Sequence, residues 1–334
     1  MLEQTQKTVY FFGAGASNAS EFKLPCMKGF FRKNEFESED YSNLLKFIQK
    51  TFTGISFEEL NLEEIITSLE LSLDTFGSFG EHPEAYMIAA KREFGEYVKK
   101  RLHIPSKGCR EHKKILSEAI AASCSQDSII TLNYDLVTDN TLHELWLEGS
   151  HKSRPSFLQR MRGMVGETQL IDGVIASIYH EYREQGHYLK LHGSVNWVYC
   201  PNNMCGNHQL FFVSQSSQDA PGDLCNLCGS PLESVIVPPT MQKTFNQFPK
   251  LGLLWSLAFR ELNKADRIVV FGVSFAPSDY YLTWLFKKAV IERIDSPVIF
   301  NINLKQSTSK QIEKITGVEP IHSASLDEFL EKAG

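Results

Sequence analysis

The chain has 334 residues, 42% of them apolar and 22% charged, which is the composition of a folded globular protein and excludes a disordered or fibrous one. At roughly 150 residues per domain, this length predicts about two domains or one enlarged α/β domain. The net charge of -6 disfavours nucleic acid and anionic membranes as partners of the molecule as a whole.

The N-terminus and the cysteines indicate the cellular compartment of the protein. Met1 to Gln6 carry neither a basic start nor an apolar signal segment, and no apolar run reaches membrane-spanning length. The seven cysteines are an odd number, and four of them form two close pairs, as in a metal site rather than a disulfide framework. We therefore expect a soluble cytoplasmic protein.

Four short apolar segments are typical of buried strands in a parallel sheet, because each is β-branched or aromatic and runs into a glycine or asparagine. They are residues 8–12, 128–132, 267–271 and 297–302, and weaker candidates are 188–191 and 234–237. Helical patterns between these segments predict an α/β fold with a mostly parallel sheet.

The first two strands are separated by far more chain than one crossover helix needs. Within that gap, Asn61 and Glu64 resemble a helix cap with a reaching carboxylate, and apolar residues follow at helical spacing. Residues 36–125 are thus predicted to form a helical insertion. A second helical pattern, 168–182, precedes His192.

The first strand runs directly into Gly13, Ala14 and Gly15, with Ser17 shortly after. Glycines here would let the backbone approach a phosphate, and the next helix would point its free N–H groups at that anion. The third glycine of the dinucleotide fingerprint would fall at Asn18, and small residues also serve tight packing alone. A nucleotide-binding turn and a packing turn both fit.

Two further strands end in polar side chains. Asn133 and Asp135 follow the second strand, where α/β sheets bind ligands, although either could instead cap the next helix. His192 follows the candidate strand 188–191, and its titration near neutrality suits a general base acting on a sugar hydroxyl. A packed or surface histidine is the alternative.

The last two strands also end in small or polar residues. Gly272 and Ser274 follow strand 267–271, residues 277–279 are typical of a helix start, and Asn303 follows the final strand. Because the carboxyl ends of parallel strands share one edge, all these residues would line one cleft.

Two cysteine pairs, Cys200 with Cys205 and Cys225 with Cys228, have the spacing of a tetrahedral zinc site. Four thiolates leave no open coordination position, so this zinc would be structural. His208 could replace one ligand, and four unpaired surface cysteines are the alternative.

The motifs Gly-Ala-Gly-Ala-Ser, Thr-Leu-Asn-Tyr-Asp, His-Gly, four cysteines, Gly-Val-Ser and Ile-Asn, in this order, resemble the sirtuin family along nearly the whole chain. The resemblance implies a Rossmann-like NAD-binding domain formed by residues 1–35, 126–199 and 234–334. It also implies the helical insertion 36–125 and a zinc-binding module at 200–233.

The same resemblance implies roles for the residues that match the family's motifs. His192 would act on the ribose hydroxyls of NAD, and Asn133 would orient the ribose or the attacking water. The implied NAD-binding residues are Gly13, Ala14, Gly15 and Ser17 for the pyrophosphate, Asp135 for the nicotinamide half, and Gly272, Ser274 and Asn303 for the adenosine half.

Two departures from the family change the expected reaction. Residues 23–28 keep only a hydrophobic-Pro core where sirtuins carry Gly-Ile-Pro-Asp-Phe-Arg. The strand that clamps an acyl-lysine peptide reads Val237-Pro238-Pro239-Thr240 here, and prolines lack the N–H that a paired peptide needs. With water as the nucleophile, the reaction becomes hydrolysis of NAD+ to ADP-ribose and nicotinamide.

The large insertion is similar to that of divergent prokaryotic sirtuin-like proteins of anti-phage defence, which deplete NAD+ when triggered. This implies a homo-oligomer or a defence partner, such as a ring-shaped ATPase or an Argonaute-like protein, and a resting form that awaits activation.

The rival interpretations are an NAD-dependent protein deacylase and a non-catalytic NAD or ADP-ribose sensor. The basic stretch 151–162 could touch nucleic acid, but the chain is acidic overall. A dehydrogenase is the weakest alternative, because this chain lacks the third glycine of the dinucleotide fingerprint.

Overall fold

A computed structural model describes residues 6–36, 39–78, 85–121, 126–148, 186–208, 211–213, 224–237, 249–277 and 279–333. The predicted helix 168–182 and the basic stretch 151–162 lie outside these residues. Six strands form a parallel sheet in the order β3-β2-β1-β7-β8-β9. Those strands are β1 (Thr8–Phe12), β2 (Ser128–Thr131), β3 (Tyr188–Lys190), β7 (Arg267–Phe271), β8 (Val298–Ile302) and β9 (Ile321–Ser323).

Helices connect the strands and cover both faces of the sheet. Within the described ranges they are α1 (Ala14–Ala19), α2 (Ser42–Thr51), α3 (Leu62–Ser78), α4 (Ala85–Arg101), α5 (Arg110–Ala121), α6 (Val137–Glu148), α7 (Pro249–Lys264), α8 (Tyr280–Ile291), α9 (Ser307–Thr316) and α10 (Leu326–Ala333). None of these helices is both long and apolar enough to cross a bilayer.

The strands alternate their side chains between two buried layers, as the pleat of a strand requires. In β1, Val9 and Phe11 pack with helices α7, α8 and α9 on one face. Tyr10 and Phe12 pack with α5, α6 and α10 on the other face. The result is a three-layer α/β fold, and the predicted class with a mostly parallel sheet is confirmed.

Helices α2, α3 and α4 form a separate module with an aromatic core. The rings of Phe31 and Tyr97 stack with centroids 5.3 Å apart. The N–H of Glu63 donates to Asn61 Oδ1 at 2.9 Å, so Asn61 caps α3 as predicted. Helix α5, although inside the predicted insertion, packs Ile115 and Leu116 against the sheet instead.

A second, antiparallel sheet has the order β5-β4-β6, formed by β4 (Gly193–Tyr199), β5 (Phe211–Val213) and β6 (Glu233–Ile236). The sixth candidate strand therefore exists but pairs with β4 rather than with the parallel sheet. Strand β4 begins beside His192 and ends beside Cys200, so one short strand joins two predicted sites.

Candidate active site

The order of the parallel strands places a topological switch point between β1 and β7, because successive crossovers leave this pair in opposite directions. Open α/β sheets bind ligands at such a point, outside the carboxyl ends of the strands. Here the turn after β1 meets the turn after β7: Gly13 N donates to Phe271 O and Gly15 N to Gly272 O, both at 2.9 Å.

These two turns touch so closely that side chains would not fit. Gly272 has a φ of 66°, which favours glycine, and a Cβ there would clash with Ala16 N. A Cβ on Gly15 would lie 2.7 Å from the Cα of Gly272. The glycines are thus required by packing, and their backbone forms the floor of the edge where a nucleotide could bind.

Asn133 joins the loop after β2 to the turn after β1. Its side-chain Nδ2 donates to Gly13 O at 3.0 Å and to Ser17 Oγ at 2.9 Å. The Ser17 side chain in turn interacts with the carboxylate of Asp135, which favours the ionised form of that carboxylate. Asp135 also accepts from Val137 N at 3.0 Å, so it caps α6 as the structural alternative anticipated. The sequence-predicted pair therefore meets the glycine turn.

A buried lysine lies under this loop. Lys190 Nζ donates to the backbone oxygen of Asp135 at 2.6 Å and to Asp139 Oδ2 at 2.7 Å. Tyr188 OH donates to the same Asp139 oxygen at 3.0 Å. Burial raises the pKa of Asp135 above its usual range, although the charge of Lys190 opposes this. The loop is therefore supported by a charged network inside the sheet.

His192 lies in the bend between β3 and β4. Its Nε2 is 3.1 Å from Asp279 Oδ2, and the two side chains are only 1% and 5% exposed. The indole of Trp255 lies nearly parallel to the imidazole, with ring centroids 6.0 Å apart. Gly193 makes the bend possible, because its φ is 86° and a Cβ would clash with Val235 O.

The segment after β6 is tied to the same bend. Val237 N donates to His192 O at 2.9 Å, and Tyr134 OH donates to Val237 O at 2.9 Å. Both backbone hydrogen-bonding groups of Val237 are therefore used within the chain. A substrate peptide could not add as a strand at this residue without displacing them.

The remaining predicted residues lie at the same edge. Asn303 Nδ2 donates to Val273 O at 3.1 Å, which links the turns after β8 and β7. Ser274 is exposed, and Ala14 is half-buried. The carboxyl edge thus gathers the residues predicted for NAD, from His192 on one side to Asn303 on the other.

The four predicted cysteines converge beyond the end of β4. Their sulfurs lie within 4.8 Å of one another. Cys200 Sγ is 3.5 Å from Cys228 Sγ, and Cys205 Sγ is 3.7 Å from Cys225 Sγ. A tetrahedral zinc with bonds of about 2.3 Å separates its sulfurs by about 3.8 Å, so the cluster fits one such ion.

Neighbouring groups fit a thiolate cluster as well. Asn207 donates its backbone N–H to Cys205 Sγ at 3.4 Å and its Nδ2 to Cys225 Sγ at 3.5 Å. His208 contacts the backbone oxygen of Cys200 at 3.0 Å instead of joining the sulfurs. The cysteines therefore suffice as a ligand set.

Two contacts of the site are not predictable from the sequence patterns. The sequence pattern at Asp279 predicts only the start of a helix, whereas its carboxylate also contacts His192. Lys190 and Asp139 lie in a strand and a helix whose patterns gave no sign that they pair. The one signal available was Lys190 itself, a charged residue at the end of an apolar strand, which must find a buried partner.

No protein-family model and no curated protein matches the sequence. Among solved structures, the chain is similar to a Sir2 homologue in complex with NAD, at 17% identity and a TM-score of 0.48, over 98% of this chain and 88% of that chain. A Sir2 homologue mutant with ADP-ribose gives 15% identity and a TM-score of 0.49, over 98% and 90%. A complex of Sir2 with a p53 peptide and NAD+ gives 16% and 0.46, over 98% and 91%. These proteins belong to the family that the sequence motifs resemble, and the NAD, ADP-ribose and peptide are ligands of those proteins.

Proposed function

We propose that the protein is a sirtuin-like NAD+ hydrolase that cleaves NAD+ to ADP-ribose and nicotinamide. The observation that carries the proposal is the hydrogen bond from Asn133 to the turn Gly13 to Gly15 at the switch point, with His192 at the carboxyl edge of the same parallel sheet. A dinucleotide suits this edge because the glycine turns allow close approach of its pyrophosphate.

In the proposed reaction the bond between nicotinamide and the ribose C1′ breaks, and its electron pair neutralises the pyridinium nitrogen. Water forms the new bond at C1′ and releases a proton. His192 polarises a ribose hydroxyl, and Asn133 orients the ribose or the water; positioning of this kind supplies orders of magnitude in rate. The pyrophosphate lies on Gly13, Ala14, Gly15 and Ser17.

The other NAD contacts follow from the arrangement of the edge. Asp135, next to Asn133, holds the nicotinamide half. Gly272, Ser274 and Asn303, at the turns after β7 and β8, hold the adenosine half.

Water is favoured over acyl-lysine as the nucleophile by the state of Val237. Its N–H and C=O are already bonded to His192 and Tyr134, and Pro238 and Pro239 follow it. A deacylase needs that backbone to hold its peptide. Peptide-independent cleavage is therefore the expected activity.

Zinc is proposed as the structural ion of the cysteine cluster, held by Cys200, Cys205, Cys225 and Cys228. At about 3.3 Å per residue along β4, the cluster is on the order of 20 Å from His192. The ion would stabilise the small sheet and would take no part in the cleavage of NAD+.

The setting proposed for this activity is anti-phage defence in the cytoplasm, in a homo-oligomer or with a defence partner. The burial of the two proposed catalytic side chains supports a resting form. His192 is 1% and Asn133 6% exposed in the free chain, so the ribose reaches them only after a rearrangement. The purified protein would reach the rearranged form slowly, and a partner would raise that rate.

The test is release of nicotinamide and ADP-ribose from NAD+ by purified wild type and His192→Ala, with and without an acetylated peptide. Wild-type release that needs no peptide, and its loss in His192→Ala, is expected. Release that requires the peptide would support the deacylase, and binding of NAD+ without release would support the sensor. Undiminished cleavage by a folded His192→Ala would refute the assignment.

A further inference from the structure

We propose that Asp279 is the positioning residue of this site, which holds His192 with Nε2–H toward the carboxylate and so leaves Nδ1 as the base. This inference rests on the proposed function. Sequence patterns assign Asp279 only to the start of α8, far along the chain from His192.

The first support is the burial of the pair. His192 Nε2 and Asp279 Oδ2 are 3.1 Å apart, and both residues are nearly inaccessible to water. A buried carboxylate is costly unless it is paired and hydrogen-bonded. The imidazole is a partner that meets this need, and the short distance fits a charge-assisted hydrogen bond.

The second support is that Asp279 is anchored independently of the histidine. Its Oδ1 accepts from Leu282 N at 3.3 Å, and its own N–H donates to Ala276 O at 2.9 Å. One carboxylate oxygen therefore caps α8 while the other faces His192. The carboxylate is the fixed member of the pair, and the imidazole is the member that it orients.

The third support is the packing around the ring. Trp255 lies against the imidazole at an interplanar angle of 30°, and its Nε1 donates to Leu191 O at 3.0 Å. The ring centroid of Tyr134 lies 6.2 Å from that of the imidazole. Two aromatic rings therefore pack near the imidazole, and the bond to Asp279 selects which nitrogen carries the proton. The same logic governs a histidine oriented by an aspartate in hydrolytic triads.

The alternative is that Asp279 serves α8 alone, and Asp279→Asn separates the two roles. Asparagine caps a helix as well as aspartate does. Its amide can donate to Nε2, which would move the imidazole proton to Nδ1 and remove the base. We expect kcat for NAD+ cleavage to fall about 100-fold or more, with KM and the melting temperature close to the wild-type values.

The control is Ser325→Ala, which removes the cap of α10, where Ser325 Oγ accepts from Glu328 N at 3.2 Å. This variant should lower the melting temperature and leave kcat unchanged. If Asp279→Asn behaved in the same way, with wild-type kcat, Asp279 would be a helix cap only and the inference would be wrong.

A second readout does not depend on activity. In 15N-histidine-labelled protein, with the His192 signal assigned by its loss in His192→Gln, wild type should show a proton on Nε2 and none on Nδ1. Asp279→Asn should reverse that pattern. An unchanged pattern would overturn the inference. A wild type that shows the pattern but releases no nicotinamide would instead count against the proposed function.

Discussion

The two edges of the six-stranded sheet each bury a lysine-carboxylate pair, and the pairs differ in what they support. Just before β1, at the amino edge, Lys7 Nζ lies 2.5 Å from Glu261 Oε2. At the end of β3, near the carboxyl edge, Lys190 Nζ lies 2.7 Å from Asp139 Oδ2. The chemistry of the pairs is nearly the same, so their surroundings must decide their roles.

The amino-edge pair is enclosed by structural partners. Ser128 Oγ donates to Glu261 at 2.6 Å, and His187 Nδ1 lies 3.1 Å from its other oxygen. Burial opposes ionisation of Glu261, but the interactions with His187 and Lys7 outweigh it and lower its pKa to about 2. This network joins strand starts to α7.

The carboxyl-edge pair instead supports the loop that carries Asn133 and Asp135. Lys190 also holds the backbone of Asp135, two residues from Asn133. A buried charge is therefore not by itself the mark of a functional site. What indicates a functional site is the position of the loop that the charge supports, at the edge where parallel sheets bind ligands.

The largest effect on folding is expected at the cysteine cluster, which follows the carboxyl end of β4. Cys225→Ser removes one of four ligands, and because a structural zinc contributes free energy of folding, we expect loss of bound metal and of soluble protein. Metal analysis and the yield of soluble protein check this. Cys26→Ser, outside the cluster, is the matched control. One zinc per chain and full solubility in Cys225→Ser would contradict the structural role.

At the carboxyl edge, Asn133→Ala should lower kcat for NAD+ cleavage about 100-fold or more, because it removes the amide that links the β2 loop to the glycine turn. The free energy of unfolding should fall by only about 1–3 kcal/mol for the two lost hydrogen bonds. Kinetics and urea unfolding measure the two quantities.

Asn140→Ala is the control for that variant, since Asn140 makes an exposed hydrogen bond to Pro105 O. It should change neither quantity appreciably. A stable Asn133→Ala with full activity would remove Asn133 from the proposed machinery.

The comparison of the edges is tested most directly by Lys190→Met beside Lys7→Met. Each leaves a buried carboxylate without its lysine, so each should lower the free energy of unfolding by about 3–5 kcal/mol. Only Lys190→Met should also lower kcat per folded molecule, because only Lys190 supports the Asn133 loop.

The surface pair Lys288 and Glu292 calibrates this experiment, since both side chains are about half exposed. Glu292→Gln should change the stability by less than about 0.5 kcal/mol. If Lys7→Met lowered kcat as much as Lys190→Met, the distinction between the edges would fail.

A smaller, pH-dependent effect is expected from His112, which is fully buried on α5 beside the rings of Phe12 and Phe271. Within the described chain, neither of its ring nitrogens has a hydrogen-bond partner. Burial lowers its pKa from 6.5 to about 4, although the charge of Glu111 opposes this. The neutral form therefore stabilises the fold above pH 6.5, and this contribution is lost as the pH falls toward 4.

His112→Leu has no proton to take up, so it should lose up to about 3 kcal/mol less stability than wild type between pH 7 and pH 4. Urea unfolding of both proteins across that range measures the difference, which cancels the other acid-titrating groups. Parallel curves would show that His112 is solvated in the folded protein.

Local patterns predicted the main strands well. The segments 8–12 and 267–271 match β1 and β7 to the residue, because apolar runs that end in a glycine turn have few other uses in a globular chain. Strand β9 was missed, since three residues with one partly buried and one exposed side chain give no apolar run. Strand β4 was missed because its pairing with β6 is set by distant residues.

The sequence by itself determined the parts whose signal is local: the strands, the glycine turn, the cap of α3 and the paired cysteines. Only the tertiary structure decided which polar side chains meet. Asp279 reaches His192, and Lys190 reaches Asp139, because the sheet order and the helix packing bring separate segments together. Such contacts depend on the whole arrangement of strands and helices, and no spacing along the chain encodes them.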